Sequence, residues 1–329
     1  MQNLEQLLRN AREISWSVFG KRIRFYLPGM FCCNDVSGRY PAVSITGSQC
    51  LQDCEHCKGT LLRNMLPAET PQSLIERGLA LAKAGNRGML VSGGCNPQGN
   101  LPWDAFFPAL RFLKDRTSLH ISVHSGFINA DTARGFKEAG LDEVLLDVVG
   151  SDETYRQVFH VSDGLARLRQ TIDALVSADL SVVPHLVCGL HFGRIKGEEA
   201  ALEMLISLRP RLLVTLSLMG LPGTPMQNTA PPPEDVIRIL CLARLRLPQT
   251  EISLGCARPR GGRLLETLAV DAGVNRMVLP SEEALRRAKY YGLAVEYRKT
   301  CCSVGDSPTD APWMNDDMTN DDIMMEACL

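Results

Sequence analysis

The chain has 329 residues, 45% of them hydrophobic, which is ample for one large core or two smaller ones. Its 35 basic and 37 acidic side chains nearly cancel, so no broad electrostatic footprint for nucleic acid or a membrane surface is present. No uncharged apolar run approaches the roughly 18 to 20 residues that a membrane span needs, and the expected location is cytoplasmic.

The first residues, MQNLEQLLRNAREISW, mix both charges with Leu4, Leu7, Leu8, Ala11 and Ile14 at helical spacing, which reads as a helix and not a signal peptide. With a strand over 22–27, segment 1–40 is expected to form an N-terminal cap. From 41 onward short β-like runs alternate with amphipathic helical stretches, the runs falling at 41–46, 88–92, 119–123, 143–148, 181–187, 211–217, 251–255 and 275–279. Thr70 and Pro71 open one helix and Gly85 ends it, and Asp131 and Gly140 bracket another. Such alternation predicts an α/β fold with a parallel sheet, and eight units predict a (β/α)8 barrel of the TIM type over 41–300. Segment 301–329 holds a cysteine pair and then an acidic, Asn- and Pro-rich tail expected to be disordered or loosely attached. Trp313 and the Met-Met pair would also suit a docking peptide.

Twelve cysteines, including the adjacent pairs Cys32-Cys33 and Cys301-Cys302, are an odd disulfide framework for a reducing compartment, so metal or redox use is expected of some. Cys50, Cys54 and Cys57 form a Cys-x3-Cys-x2-Cys run after the first strand. Zinc prefers four closed ligands, commonly two Cys-x2-Cys knuckles; no second knuckle exists, and His56 is too close to Cys57 to be a comfortable fourth ligand. Three thiolates can instead fill three corners of a four-iron, four-sulfur cluster and leave one iron open to a small molecule.

This run resembles the signature of the radical S-adenosylmethionine (SAM) enzymes. The resemblance implies that the amino and carboxylate groups of SAM chelate the open iron and that the reduced cluster splits SAM to a 5′-deoxyadenosyl radical. It also implies a SAM-binding set. His56 stands where the family usually has an aromatic residue beside the adenine, with a plain surface histidine as the alternative. Gly93 and Gly94, in the turn Ser92-Gly93-Gly94-Cys95, match the glycine-rich turn that holds the amino group of SAM, and two glycines let a main chain approach a ligand closely.

Across roughly residues 40 to 290 the strand ends look like biotin synthase, whose second, auxiliary iron–sulfur cluster donates sulfur. On that likeness Cys95 and Arg258 fall at auxiliary-ligand positions, and Cys188 does so only after a shift of a residue or two. The third-strand cysteine is replaced by Ser122-Val123-His124-Ser125, so the biotin synthase cluster cannot be assembled unchanged. Asp147 aligns with a fourth-strand polar residue near SAM and substrate, or caps the next helix. His124, His185 and His191 suit a substrate carbonyl or the carboxylate of SAM, or are satisfied core or rim residues. Loop 219–226 suits contact with an aliphatic chain, or is a plain connection.

PAVSITGSQCLQDCEHCKGTLLRNM, VSGGC, GCARPRGG and KTCCSV resemble more closely a component of the archaeal-type two-component lipoyl synthase. That resemblance implies sulfur insertion into an octanoyl chain on a lipoyl carrier protein. It further implies a homologous radical SAM partner subunit and an electron donor such as ferredoxin or flavodoxin. The candidate auxiliary set is Cys95, Cys256, Arg258, Cys301 and Cys302, with a contribution from Cys32 or Cys33 from the cap. The cysteine pair is expected to return across the barrel mouth and give one ligand, and each cysteine could instead be a small buried apolar residue. Cys241, in a Leu-rich helix, and Cys328 are expected to lack a cluster role. The alternatives are a biotin synthase-like enzyme, a single-cluster radical SAM enzyme without sulfur insertion, and a redox scaffold whose cluster only moves electrons.

Overall fold

The computed structural model describes residues 3–33, 36–261 and 263–305. Thirteen strands run in chain order: Arg22–Tyr26 (β1), Cys32–Cys33 (β2), Val36–Ser37 (β3), Ala42–Ser44 (β4), Leu66–Pro67 (β5), Gly88–Ser92 (β6), His120–His124 (β7), Glu143–Asp147 (β8), Val182–Cys188 (β9), Leu212–Ser217 (β10), Glu251–Leu254 (β11), Arg276–Val278 (β12) and Ala294–Arg298 (β13). The helices are Leu4–Phe19 (α1), Pro71–Lys83 (α2), Phe107–Arg116 (α3), Ala130–Glu138 (α4), Asp152–Thr154 (α5), Gly164–Ser177 (α6), Glu198–Leu208 (α7), Pro233–Arg246 (α8), Arg263–Asp271 (α9) and Glu282–Tyr290 (α10).

Eleven strands form one curled sheet in the order β13-β1-β12-β11-β10-β9-β8-β7-β6-β4-β5, and every ladder in it is parallel. The eight expected β runs are all present, as β4 and β6 to β12. Among the described residues the edge strands β13 and β5 share no ladder; the seam is spanned where Arg39 N–H donates to the Lys299 carbonyl at 2.6 Å and Arg87 N–H to the Arg39 carbonyl at 2.8 Å. The fold is therefore an α/β TIM-type barrel left incompletely zipped.

The N-terminal segment departs from the expected cap. β1 is not laid over an end; it is inserted into the sheet between β12 and β13, and α1 joins the outer layer against α8 and α9. Arg24 and Tyr26 pair with β12 on one side and β13 on the other, so β1 satisfies its backbone on both edges, as a buried parallel strand must. The charged stretch after 279 adds α10 and β13, which the periodicity over 275–279 does not reveal.

Local chemistry explains the boundaries. The Thr70 hydroxyl accepts from the Ser73 N–H in a capping box with Pro71 at the first position, and Gly85, at φ +75°, ends α2. The α4 cap is Asn129, two residues before Asp131. Strand alternation produces two apolar layers. The larger packs the outer faces of the strands on the helices; the inner one, with Tyr26, Leu145, Val183, Leu212, Val214, Val278 and Cys302, contains no helix residue and fills the curl.

Candidate iron–sulfur and SAM site

The cysteine loop lies at the C-terminal mouth, between the glycine turn after β6 and the loop after β8. Its geometry is set mainly by backbone. Cys95 O accepts from Leu51 N–H at 2.8 Å and Gln52 N–H at 3.1 Å and lies 3.8 Å from Cys50 Sγ. Gly94 N–H donates to Thr46 Oγ1 at 2.6 Å, and a Cβ on Gly94 would stand 1.9 Å from Gln49 O and 2.6 Å from Cys50 Cα. Gly94 thus buttresses the cysteine loop, a role distinct from the direct SAM contact expected of it. A Cβ on Gly93 would meet Thr46 and Ile45 side-chain atoms at 3.0 to 3.2 Å.

On the other flank Glu55 N–H donates to Val158 O at 2.9 Å. The Glu55 carboxylate meets Lys58 Nζ and His160 Nε2, each at 3.0 Å. The His56 ring lies 5.2 Å from Phe159, which itself packs on Tyr155, and His56 Nδ1 is buried without a hydrogen-bond partner. Apart from Lys58, which belongs to the loop itself, these partners come from the π-helical turn Tyr155–Phe159, which follows α5 directly, and from its C-cap His160. Sequence reading missed them: a π turn has no repeating signature.

Cys50, Cys54 and Cys57 are free thiols. The hydrogen bond from the Cys54 thiol holds Cys57 down to about 4 against burial, with His56 adding to it, and Cys54 is driven up by the same contact. The donor set fits an iron–sulfur cluster with one open iron: three soft thiol ligands on one loop, one already stabilised as thiolate. Among the described residues no three His, Cys, Asp or Glu side chains are close enough for a single metal ion.

Asp147, at the end of β8, pairs with His124 Nε2 at 3.3 Å. Burial works to raise its carboxyl, yet His124 holds it at about 2, and Asp147 in turn raises His124. The His185 ring lies 5.6 Å from His124, and its Nδ1 donates to Val183 O at 3.1 Å, which leaves Nε2 as the acceptor. Burial lowers His185 to about 4, so it is neutral near pH 7. His191 is instead engaged with the β8 loop, its Nδ1 3.2 Å from Thr154 Oγ1 and its Nε2 3.8 Å from Glu153.

The expected auxiliary residues divide. Arg258 is fully buried and occupied: Nε and Nη2 donate to Glu266 at 3.0 and 2.6 Å, Nη1 to Gly255 O at 2.6 Å, and Nη2 also to Val278 O and Leu279 O. It ties the β11 and β12 ends together and is not available as a cluster ligand. Cys188 points into the outer, helix-facing layer, and Cys95 joins the first site, where burial and then Cys50 raise it to about 12. Cys241 packs in the same outer layer; Cys32 lies in the β2–β3 hairpin, and Cys328 lies outside the described residues, as does the tail from 306.

Cys256 packs against the inner layer that contains Cys302, and Cys302 is hydrogen-bonded to Cys301. The Cys302 thiol is pushed well up by its hydrogen bond with Cys301 first and by burial second, and the charges of Cys301 and Cys256 add to this. Cys256 is raised by burial and then by Cys301. The pair does not cross the mouth as expected; residues 301–305 turn inward, and Gly305 N–H reaches Glu143 at the N-terminal end of β8 at 2.8 Å. Above them, loops after β10 and β11 frame a cleft of about 410 Å³ lined by Met219, Gly220, Gln227 and Arg260 among others.

A radical SAM superfamily model matches residues 44–208, just over half the chain, and a model described as the biotin and thiamin synthesis associated domain matches 204–304. The chain is 24% identical over 284 residues to biotin synthase of Halorhodospira halophila, covering 79% of this chain and 84% of that one. It is 27% identical over 172 residues to biotin synthase of Vesicomyosocius okutanii, where the match spans 51% of this chain and 52% of the relative's length. In fold it is similar to methylornithine synthase (TM-score 0.61, 18% identity, 90% of each chain) and to HydG, a maturase of the FeFe-hydrogenase (TM-score 0.65, 16% identity, 90% of this chain and 70% of that one). Among the described residues no helix is long and apolar enough to cross a membrane. With the three-thiol loop at the mouth of a parallel α/β curl and two consecutive family models over 44–304, the chain belongs to the radical SAM superfamily, is biotin synthase-like, and is an enzyme that uses an iron–sulfur cluster and SAM.

Proposed function

We propose that this enzyme inserts sulfur into unactivated carbons of a protein-bound octanoyl chain, as a component of a lipoyl synthase. The observation that carries the reading is the inner layer in which Cys256 packs by Cys302, itself hydrogen-bonded to Cys301. Three thiols in a dry lumen repel one another once ionised, and an iron–sulfur core is the kind of cation that relieves such repulsion. Held by Cys50, Cys54 and Cys57, the first cluster would supply the electron for SAM cleavage, and a second cluster held by Cys256 and the C-terminal pair would supply the sulfur.

The chain's own residues bind and orient. His56 and Phe159 offer an aromatic wall for the adenine, and the glycine turn holds the cysteine loop rigid. His124, Asp147 and His185 form one connected group on β7, β8 and β9, and the cleft that Met219 and Gly220 share with Gln227 and Arg260 offers an entry for an acyl chain. The partners of this reading are an octanoylated lipoyl carrier protein, a homologous radical SAM subunit and a ferredoxin or flavodoxin; the compartment is the reducing cytosol, which suits thiolate chemistry.

The test is anaerobic reconstitution, followed by incubation with SAM, reductant and an octanoyl-lysine carrier domain, alone and with the homologous subunit. Sulfur added to the carrier with 5′-deoxyadenosine released supports the reading. SAM cleavage with no sulfur on the carrier in either mixture sinks it. Biotin synthase activity is the second reading, favoured by the relatives over most of the chain. Sulfur appearing on dethiobiotin and not on the octanoyl carrier would select it.

A further inference from the structure

The segment that carries Cys301 and Cys302 is irregular and buried, so its peptide groups need partners that no helix or ladder supplies. They come from guanidinium and carboxyl side chains on three strands or their approaches, the Glu143 carboxyl being pushed up to about 8 by burial. Val304 N–H closes a turn onto Cys301 O at 3.1 Å. Arg276, fully buried at the start of β12, donates from Nη1 to Cys302 O at 3.0 Å and Val304 O at 2.6 Å. Its Nε donates to Glu251 at 2.8 Å, and Nη2 meets the same carboxylate. Opposite, the buried Glu143 accepts from Gly305 N–H at 2.8 Å and Arg211 at 2.9 Å, and Arg211 reaches Ser303 O at 3.5 Å.

Every carbonyl from 302 to 304 is thereby held by a guanidinium. Buried ion pairs are weak sources of stability, since a packed apolar substitute often does as well. A planar guanidinium that bridges two carbonyls does something apolar packing cannot: it fixes the Cys302–Ser303 and Val304–Gly305 peptide planes, and the first of these flanks Cys302 and helps set the direction of its side chain.

We infer that Arg276, braced by Glu251 and opposed by the Glu143–Arg211 pair, is a positioning residue that presents Cys302 beside Cys256 as a ligand of the second iron–sulfur cluster. This rests on the sulfur-insertion reading above. Arg276 touches neither substrate nor sulfur; it acts through the 301–305 backbone.

The test uses the full chain. Arg276→Met is compared with the double change Arg276→Met and Glu251→Gln, which avoids leaving a buried unpaired carboxylate, and with Arg276→Lys. In the metal-free protein the alkylation rate of Cys302 is read by mass spectrometry. Iron and sulfide are counted after reconstitution in a background of Cys50→Ala, Cys54→Ala and Cys57→Ala. Alkylation is expected to rise at least about tenfold in both Met variants as the segment comes loose. Second-cluster iron is expected to fall from about 4 to below about 1 per chain. The same changes in the chain with its three-cysteine run are expected to keep SAM cleavage within about twofold, because the hydrogen bonds and ion pairs described above for the first site do not include Arg276. Arg276→Lys keeps the charge beside Glu251 but lacks the fork, so it is expected to recover thermal stability without recovering Cys302 protection.

Unchanged alkylation and iron in the double variant would overturn the inference, as would full recovery of both by lysine or parallel loss of SAM cleavage. If the background protein binds no iron even with Arg276 intact, the second-cluster reading itself has failed and the inference falls with it; iron retained only after Arg276 is changed defeats the inference alone.

Discussion

Replacing Gly94 by alanine isolates the buttress behind the cysteine loop. Gly94 has no positive φ, so alanine suits its backbone and would ordinarily stabilise by about 0.4–1 kcal/mol through the unfolded chain. The space reverses that sign. The new Cβ would sit 1.9 Å from Gln49 O and 2.6 Å from Cys50 Cα, both backbone atoms, where ordinary contact begins at 3.4 Å. The shortfall of about 1.5 Å has to be met by moving the loop, at a cost of order 1–3 kcal/mol or more. Cys50 moves with it, and so does the hydrogen-bonded edge at Leu51 and Gln52. On the two-cluster reading, iron after reconstitution drops from about 8 to about 4 per chain, and 5′-deoxyadenosine formation falls by at least about a hundredfold, as displacement by about 1 Å can do. Gly93→Ala is the control: its neighbours are side-chain ends at 3.0 to 3.2 Å that can give way, so it keeps most of its iron. A Gly94→Ala protein with full iron and normal SAM cleavage would refute the buttress.

Arg258→Met removes one partner of a fully buried pair and strands Glu266, so urea denaturation is expected to show a loss of about 3–5 kcal/mol. A stable variant that selectively loses second-cluster iron would restore Arg258 as a ligand. On the two-cluster reading, Cys188→Ala is expected to keep all iron at a modest packing cost and Cys256→Ala to lose about half of it; iron counts on the two variants decide it. In the metal-free chain His120 and His185 are both lowered by burial to about 4, below the unfolded value near 6.5. At these two sites the unfolded state binds more protons between about pH 6.5 and 4, which lowers stability as the pH drops by up to about 1.4 kcal/mol per pH unit for each; Glu143, raised by burial to about 8, opposes them with the slope of one group down to its ordinary value near 4.5, so a net fall remains. Asp147, held at about 2, loses its contribution only at lower pH, and His124, which is raised, loses its own only above 6.5. A denaturant midpoint that is flat from pH 6.5 to 4 would contradict this account.

What could be read from the sequence was what depends on local chemistry. Thr70, Pro71 and Gly85 punctuate α2 wherever it packs, and the β runs survive as strands because each is buried on both faces and needs no partner's sequence to declare it. The three-thiol loop was legible because spacing alone brings Cys50, Cys54 and Cys57 together. β7 also advertised its lumen: in His-Ile-Ser-Val-His the polar residues alternate, placing His120, Ser122 and His124 on one face. The insertion of β1 between β12 and β13 was hidden, because parallel strands joined over more than two hundred residues leave no adjacent trace in the chain. Arg276 gave a fainter signal, a charge inside the apolar run Val274 to Leu279, which marks a buried cation but not what it holds.

The second thiol set turns on parity. A biotin synthase-like assignment for Cys188 allows a slip of a residue or two, but strand side chains alternate, and a slip of one sends a residue from the lumen to the helix layer. His185 and Val187 face inward in β9, so Leu186 and Cys188 face outward, and both are indeed packed in the outer core. The lumen thus lacks a β9 thiol, and Ser122 stands where β7 would offer another. The C-terminal segment supplies Cys301 and Cys302 from the opposite wall, with Cys256 as neighbour. On the sulfur-insertion reading proposed above, the second set of thiols would therefore come from the β11 end and the C-terminal segment, and not from β7 and β9.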